Sequence, residues 1–174
     1  MIPLDTALFA FILLFGLMGA LRGWTKEILV LFSVIVALAM RLIFTEYVPL
    51  VRVFFQRPPV EQFYLYSALI IVMAVAGYAG PAVSGRLAGA SARETLQDIL
   101  LGFIIGALNG FLIVGSIWFF LDAADYNVMG ISPPPPESTA AVLAARYLPP
   151  VWLSDAVLLT AFSFAAVFVI IVLV

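Results

Sequence analysis

The segment Ile99–Leu121 reads ILLGFIIGALNGFLIVGSIWFFL and is bounded by Asp98 and Asp122. It carries no charge over its whole length. A bilayer-spanning helix needs about 20 mostly apolar residues, so the stretch predicts a transmembrane helix. Its apolar residues run all round the helix, which fits lipid exposure better than a soluble amphipathic helix. Gly102, Gly106 and Gly110 are four apart and share one helix face. Lacking side chains, they let a neighbouring backbone approach closely, which drives packing in lipid. Asn109 lies seven residues after Gly102, and Ser116 seven further on, near the same stripe. An asparagine in hydrocarbon needs a hydrogen-bond partner, worth roughly 0.6–2 kcal/mol between helices. The face is expected to pack on another span of the same chain; self-association or a partner protein is the alternative.

Four further apolar stretches flank this one: residues 4–21, 28–44, 63–83 and 156–174. No sustained period-2 alternation occurs, so an outer-membrane barrel does not fit. The fold class is therefore all-α, a polytopic transmembrane helical bundle of about five spans (4–21, 28–44, 63–83, 99–121, 156–174). The first span lacks a basic leader, with Asp5 in its place, and reads as retained rather than as a signal peptide.

Composition agrees. Of 174 residues, 65% are hydrophobic, only 18 are charged, and mean hydropathy is +1.20. A soluble domain carries about 25% charged residues. A soluble domain, a disordered chain and a nucleic-acid binder are excluded on that ground. The chain has no Cys and no His. That removes disulfides, Cys/His zinc sites, haem axial histidine and Cys or Ser–His nucleophile systems. No P-loop, dinucleotide fingerprint or nucleophile elbow is present. No catalytic residues, metal or cofactor are expected, and the chain reads as a non-enzyme whose partners are the lipid bilayer and other membrane proteins.

The charges fall near span ends. Arg22, Gly23, Lys26 and Glu27 form the tip of a tight hairpin between the first two spans, where Arg22 and Lys26 anchor at the phosphates and Glu27 pairs with either. Asp98 and Asp155 complement helix N-termini, with Ser154 as a further cap. Ionisable residues are expected to be absent from the middle of the spans, which argues against an ion pathway. The third span carries a second small-residue stripe, Ala76, Gly80 and Ser84, and Gly80-Pro81 predicts a kink. Residues 45–62 read equally as an interfacial segment or an irregular loop. Ser132-Pro-Pro-Pro-Pro136 predicts a stiff polyproline spacer, with one short helix over 140–148.

Arg22, Lys26, Arg86 and Arg93 fall on one side; Arg41, Arg52, Arg57 and Arg146 fall on the other. The positive count is tied, and position in short loops puts the first four inside. The N-terminus is then outside and the C-terminus cytoplasmic. Five tyrosines (Tyr47, Tyr64, Tyr66, Tyr126, Tyr147) and Trp152 are expected to form an interfacial belt on the outer side.

Two segments carry a resemblance: Asp5 followed, after one span, by Arg22-Gly23-Trp24-Thr25-Lys26-Glu27, and Asp98-Ile-Leu-Leu101-Gly102 with Gly106, Asn109 and Gly110. Together, over residues 1–125, they resemble the CvpA family, the colicin V production protein family of bacterial inner membranes. The family often has basic residues where this chain has Ile99 and Asn109. The resemblance implies a four-span membrane domain over 1–125; the proline-rich extracytoplasmic connection (126–155) and the fifth helix (156–174) lie beyond it and are read from the residues alone. It implies a scaffold or accessory role in toxin (colicin V) production or export, or in envelope homeostasis. A small accessory subunit of a larger respiratory or photosynthetic complex is the alternative, and a transporter or channel the third reading.

Overall fold

The computed structural model describes residues 3–55, 57–79, 96–128 and 130–173. These residues form helices and no strand. In chain order they are α1 (Leu4–Arg22), α2 (Trp24–Glu46), α3 (Pro49–Phe55), α4 (Pro59–Ala79) and α5 (Leu96–Ala123). Then come α6 (Thr139–Arg146), α7 (Pro149–Trp152) and α8 (Asp155–Leu173). Helices α1, α2, α4 and α5 are each long and apolar enough to cross a membrane. A fifth crossing arises if α6–α7 and α8, bent by 50° at Leu153–Ser154, count as one span. Ser154 supports that break: its Oγ accepts from the Val157 N–H at 3.4 Å.

The four long helices pack around one core. Helix α1 lies mainly on α5, while α2 touches α4, α5 and α8. Leu8, Val30, Val34 and Ile70 are buried at the centre. Outward faces remain apolar: Leu13, Leu17, Val72 and Ile104 are exposed, as suits helices that are solvated by lipid chains.

A single residue separates α1 from α2. Gly23 sits at φ 83°, ψ 151°, a region open essentially to glycine alone. Its N–H donates to the Gly19 carbonyl at 2.9 Å, and its own carbonyl accepts from the Glu27 N–H at 3.4 Å. Nothing lies within 4 Å of a Cβ built there, so only the backbone resists a side chain. Gly23→Ala is expected to cost about 1–3 kcal/mol, read as a lower melting temperature in lipid or detergent.

At the opposite end, the connection folds back on the bundle. Ala140, Ala144 and Leu148 are buried, and Pro149 fits where Gly115 leaves room, 2.7 Å from a built Cβ. Residues 45–62 contain α3, with Leu50 and Val53 exposed and Val51 packed inward. The expected tyrosine belt is divided. Tyr47, Tyr64, Tyr147 and Trp152 are exposed, but Tyr66 and Tyr126 are core residues.

Tyr126 follows α5 in a turn with positive φ at both Asp125 and Tyr126. Its hydroxyl accepts from the Trp118 indole at 3.0 Å. Burial, reinforced by Asp122, pushes this phenol up to about 12, against the opposing effect of the Trp118 bond. Between pH about 10 and about 12 the unfolded phenol ionises before the folded one. Stability is therefore whole below pH about 10 and falls as the pH rises through that window. Tyr126→Phe is expected to flatten this alkaline loss, measured by unfolding across the window.

Candidate functional site at the Arg22–Gly23 end

Helix α2 buries one face through Val30, Val34, Ala37 and Leu38. Glu27 lies one turn before Val30 on that face and is fully buried, at 0% exposure. This corrects the expectation that Glu27 is a surface group of the hairpin tip: it stands in the first turn of α2, yet inside the bundle. A hairpin-tip carboxylate would face water; helical register instead turns Glu27 into the bundle.

Three other helices supply its surroundings. From α5, Asn109 Nδ2 donates to Glu27 Oε2 at 3.0 Å and to the Glu27 backbone carbonyl at 3.0 Å. From α4, the Tyr78 hydroxyl donates to Oε2 at 3.3 Å. From the end of α1, Arg22 Nε stands 3.8 Å from Oε1. Arg22 also stacks over the Tyr78 ring, 4.3 Å from its centroid, and donates from Nη2 to the Tyr78 carbonyl at 3.2 Å. Of the two expected partners for Glu27, Arg22 is engaged and Lys26 is exposed.

The cluster is positioned by the glycine contact beside it. A Cβ on Gly106 would strike the Phe15 carbonyl and come within 3.0 Å of the Gly19 Cα. One on Gly19 would strike the Gly102 carbonyl and lie 2.9 Å from the Gly106 Cα. Gly110 meets Phe15 Cβ at 2.8 Å. The stripe on α5 is thus covered by α1 of the same chain. Nearer the surface, Trp24 Nε1 donates to Asp98 Oδ1 at 3.0 Å. Asp98 lies in the first turn of α5, where a carboxylate suits the helix dipole.

Not every expected site residue joins this cluster. Asp5 sits at the other end of α1, roughly 26 Å away at 1.5 Å per residue. There its Oδ1 accepts from the Thr6 N–H at 2.9 Å. It borders a cavity of about 810 Å³ between α1 and the proline-rich segment, lined also by Leu4, Ile131, Pro133 and Glu137. Ala76 is exposed, and the close approach on α4 falls one residue later. A Cβ on Gly77 would lie 3.0 Å from Val30 Cα. Gly80, Ser84 and the Gly80-Pro81 kink lie outside the described residues. Two members were not singled out from sequence: Gly19, for which the signal is Gly16-x-x-Gly19, and Tyr78, which carries no sequence signal of its own.

Among the described residues, no group of three or more Asp or Glu side chains is placed to hold a metal ion. The arrangement holds one buried carboxylate by hydrogen bonds from two helices and pairs it with a partly exposed arginine. Apolar helices of spanning length around a buried polar cluster define a polytopic helical membrane protein. The family model described as colicin V production protein matches residues 4–130, and the chain belongs to that family. No curated protein and no solved structure matches the chain.

Proposed function

We propose that the protein is a non-enzymatic scaffold or accessory component of the bacterial inner membrane, acting in toxin (colicin V) production or export or in envelope homeostasis. The family membership supports this reading. The observation that carries it is the bundle's self-contained interior. Its glycine faces close on each other, and Asn109, Tyr78 and Arg22 are engaged with Glu27. Such a body offers partners its outer surface rather than a reaction chamber. In the proposed orientation the N-terminus is outside, and the Arg22–Gly23 end faces the cytoplasm with α1 entering from outside. The test is deletion and complementation in a host that makes the toxin. Loss of toxin release or of tolerance to envelope stress, restored by the full chain, is expected. Unchanged release and tolerance in the deletion strain would count against the proposal.

A small accessory subunit of a larger membrane complex is the second reading. The cavity between α1 and the proline-rich segment favours it, since that end presents both apolar and acidic surface. Stable co-purification with a defined complex in mild detergent would select this reading over a free-standing scaffold.

A further inference from the structure

At the end of α2 opposite Glu27 stands a second half-buried arginine. Arg41 lies five residues before the helix ends at Glu46, roughly 7–8 Å along the axis at 1.5 Å per residue. The 23 residues of α2 extend over about 35 Å, against about 30 Å of hydrocarbon. Arg41 is therefore placed just beneath the headgroups of one leaflet rather than at the bilayer centre, within reach of the surface for so long a side chain. Its guanidinium carbon is 5.8 Å from the ring centroids of both Tyr66 and Phe120. Those rings are buried and lie 4.7 Å apart. They attract the cation and fix its position, but a ring face gives its N–H donors no lone pair. Among the described residues this guanidinium makes no hydrogen bond and no ion pair. Arg22 differs in this respect. It too stacks on a tyrosine, and the protein also supplies it with the Glu27 carboxylate and the Tyr78 carbonyl.

Helix α3 adjoins the same end, starting at Pro49 after only Tyr47 and Val48. Its Val51 packs inward, while Leu50 and Val53 are 87% and 67% exposed. A short helix tied between two spans lies at the membrane surface, where exposed apolar side chains enter the upper acyl layer. Arg52, exposed between Leu50 and Val53, also makes no ion pair among the described residues, whereas Arg57 is paired with Glu61 at 3.3 Å. We propose that the α2–α3 corner binds the phosphodiester headgroup of an anionic phospholipid, with Arg41 as its principal ligand. A guanidinium fork matches phosphate oxygens bidentately and gives Arg41 the acceptors that the bundle does not supply. Arg52 adds a second uncompensated positive charge in the headgroup layer, which favours an anionic over a zwitterionic lipid. Leu50 and Val53 continue the apolar outer faces of the spans and contact the chains of that leaflet. A free phosphate ion would leave them without a partner.

The test uses the full chain purified from vesicles that hold phosphatidylglycerol and phosphatidylcholine in equal amounts. Native mass spectrometry reads the retained lipid, and thermal unfolding is followed on the same samples. The wild type is expected to retain phosphatidylglycerol in preference to phosphatidylcholine and to melt higher when it is present. Arg41→Gln should retain about tenfold less, the loss expected for one charge-assisted contact. Arg41→Lys keeps the charge without the fork and should fall between the two. Inorganic phosphate should neither displace the lipid nor raise the melting temperature. Equal retention by wild type and folded Arg41→Gln overturns the proposal, and so does a wild type without preference between the two lipids. Stabilisation by inorganic phosphate alone assigns the corner to a free anion and overturns the lipid. If Arg41→Gln does not fold, the comparison passes to Arg41→Lys, and retention there equal to wild type overturns the proposal.

Discussion

Gly106→Leu is expected to prevent α1 from seating on α5 and to abolish the folded state. Even a methyl group at this position meets backbone: the Phe15 carbonyl and, at 3.0 Å, the Gly19 Cα. Backbone atoms cannot rotate away as a side-chain tip can, so the helices must separate. Overpacking commonly costs about 1–3 kcal/mol, and Gly106→Ala is expected within or above that range. Leucine adds three further carbons, and the loss of the contact exposes the neighbouring Gly102–Gly19 approach as well. In lipid no hydrophobic force draws the helices back together, because the chains of the bilayer are equally apolar. Reversible unfolding in bicelles, or protease resistance in membranes, reads the effect. Ile104→Leu, on the lipid-facing side of the same helix, is the control and should behave as wild type. A Gly106→Leu variant as stable as that control would show that the α1–α5 contact does not hold the fold together.

Asn109→Leu is the second large effect. It removes both bonds from Nδ2, one to the Glu27 carboxylate and one to the Glu27 carbonyl. A hydrogen bond to a charged group is worth about 1.5–3 kcal/mol, and the carboxylate would keep only the 3.3 Å bond from Tyr78. A destabilisation of about 2–3 kcal/mol is expected. The double variant Glu27→Leu with Asn109→Leu should cost less than the two single changes summed, because neither the carboxylate nor the amide is then left without the other, while the loss of the Tyr78 and Arg22 contacts is already contained in the single Glu27 change. Strict additivity would show that the two side chains do not depend on each other. The same cycle with Tyr78→Phe should show weaker coupling, since that bond is longer.

Much of the architecture was legible in the sequence because a bilayer makes simple demands. Every backbone polar group must be satisfied within its own segment, so long apolar runs become helices. Hence Ile99–Leu121 was recognisable, and α5 extends it by only a few residues at each end. The stripe of Gly102, Gly106 and Gly110 was legible too, because four-residue spacing fixes a face. Its occupant was not. A glycine face states that a backbone comes close, not which one, and Gly16 and Gly19 had to be brought alongside by the fold. Ala76 shows the converse. Its spacing to Gly80 suggested a contact, but the helix is rotated so that Gly77 meets Val30 while Ala76 points outward.

The buried site was legible in part. Asn109 announced its need for a partner by its polarity within hydrocarbon. Glu27 did not, because a carboxylate four residues from the hairpin glycine reads as a surface anchor. The clue was its register with Val30, Val34 and Leu38, which share the buried face. Tyr78 offered nothing to distinguish it from an interfacial tyrosine.

The sequence by itself therefore determined that this chain is a membrane-embedded bundle, where its helices run, which face of α5 is bare, and which family's motifs it carries. Those properties follow from local composition and helical period, which act residue by residue. Tertiary structure alone decided that α1 covers the glycine face and that Glu27 lies inside. It also decided that Asn109, Tyr78 and Arg22 converge on that carboxylate. These depend on the rotation and depth of each helix against the others, which are set jointly by all the contacts of the bundle.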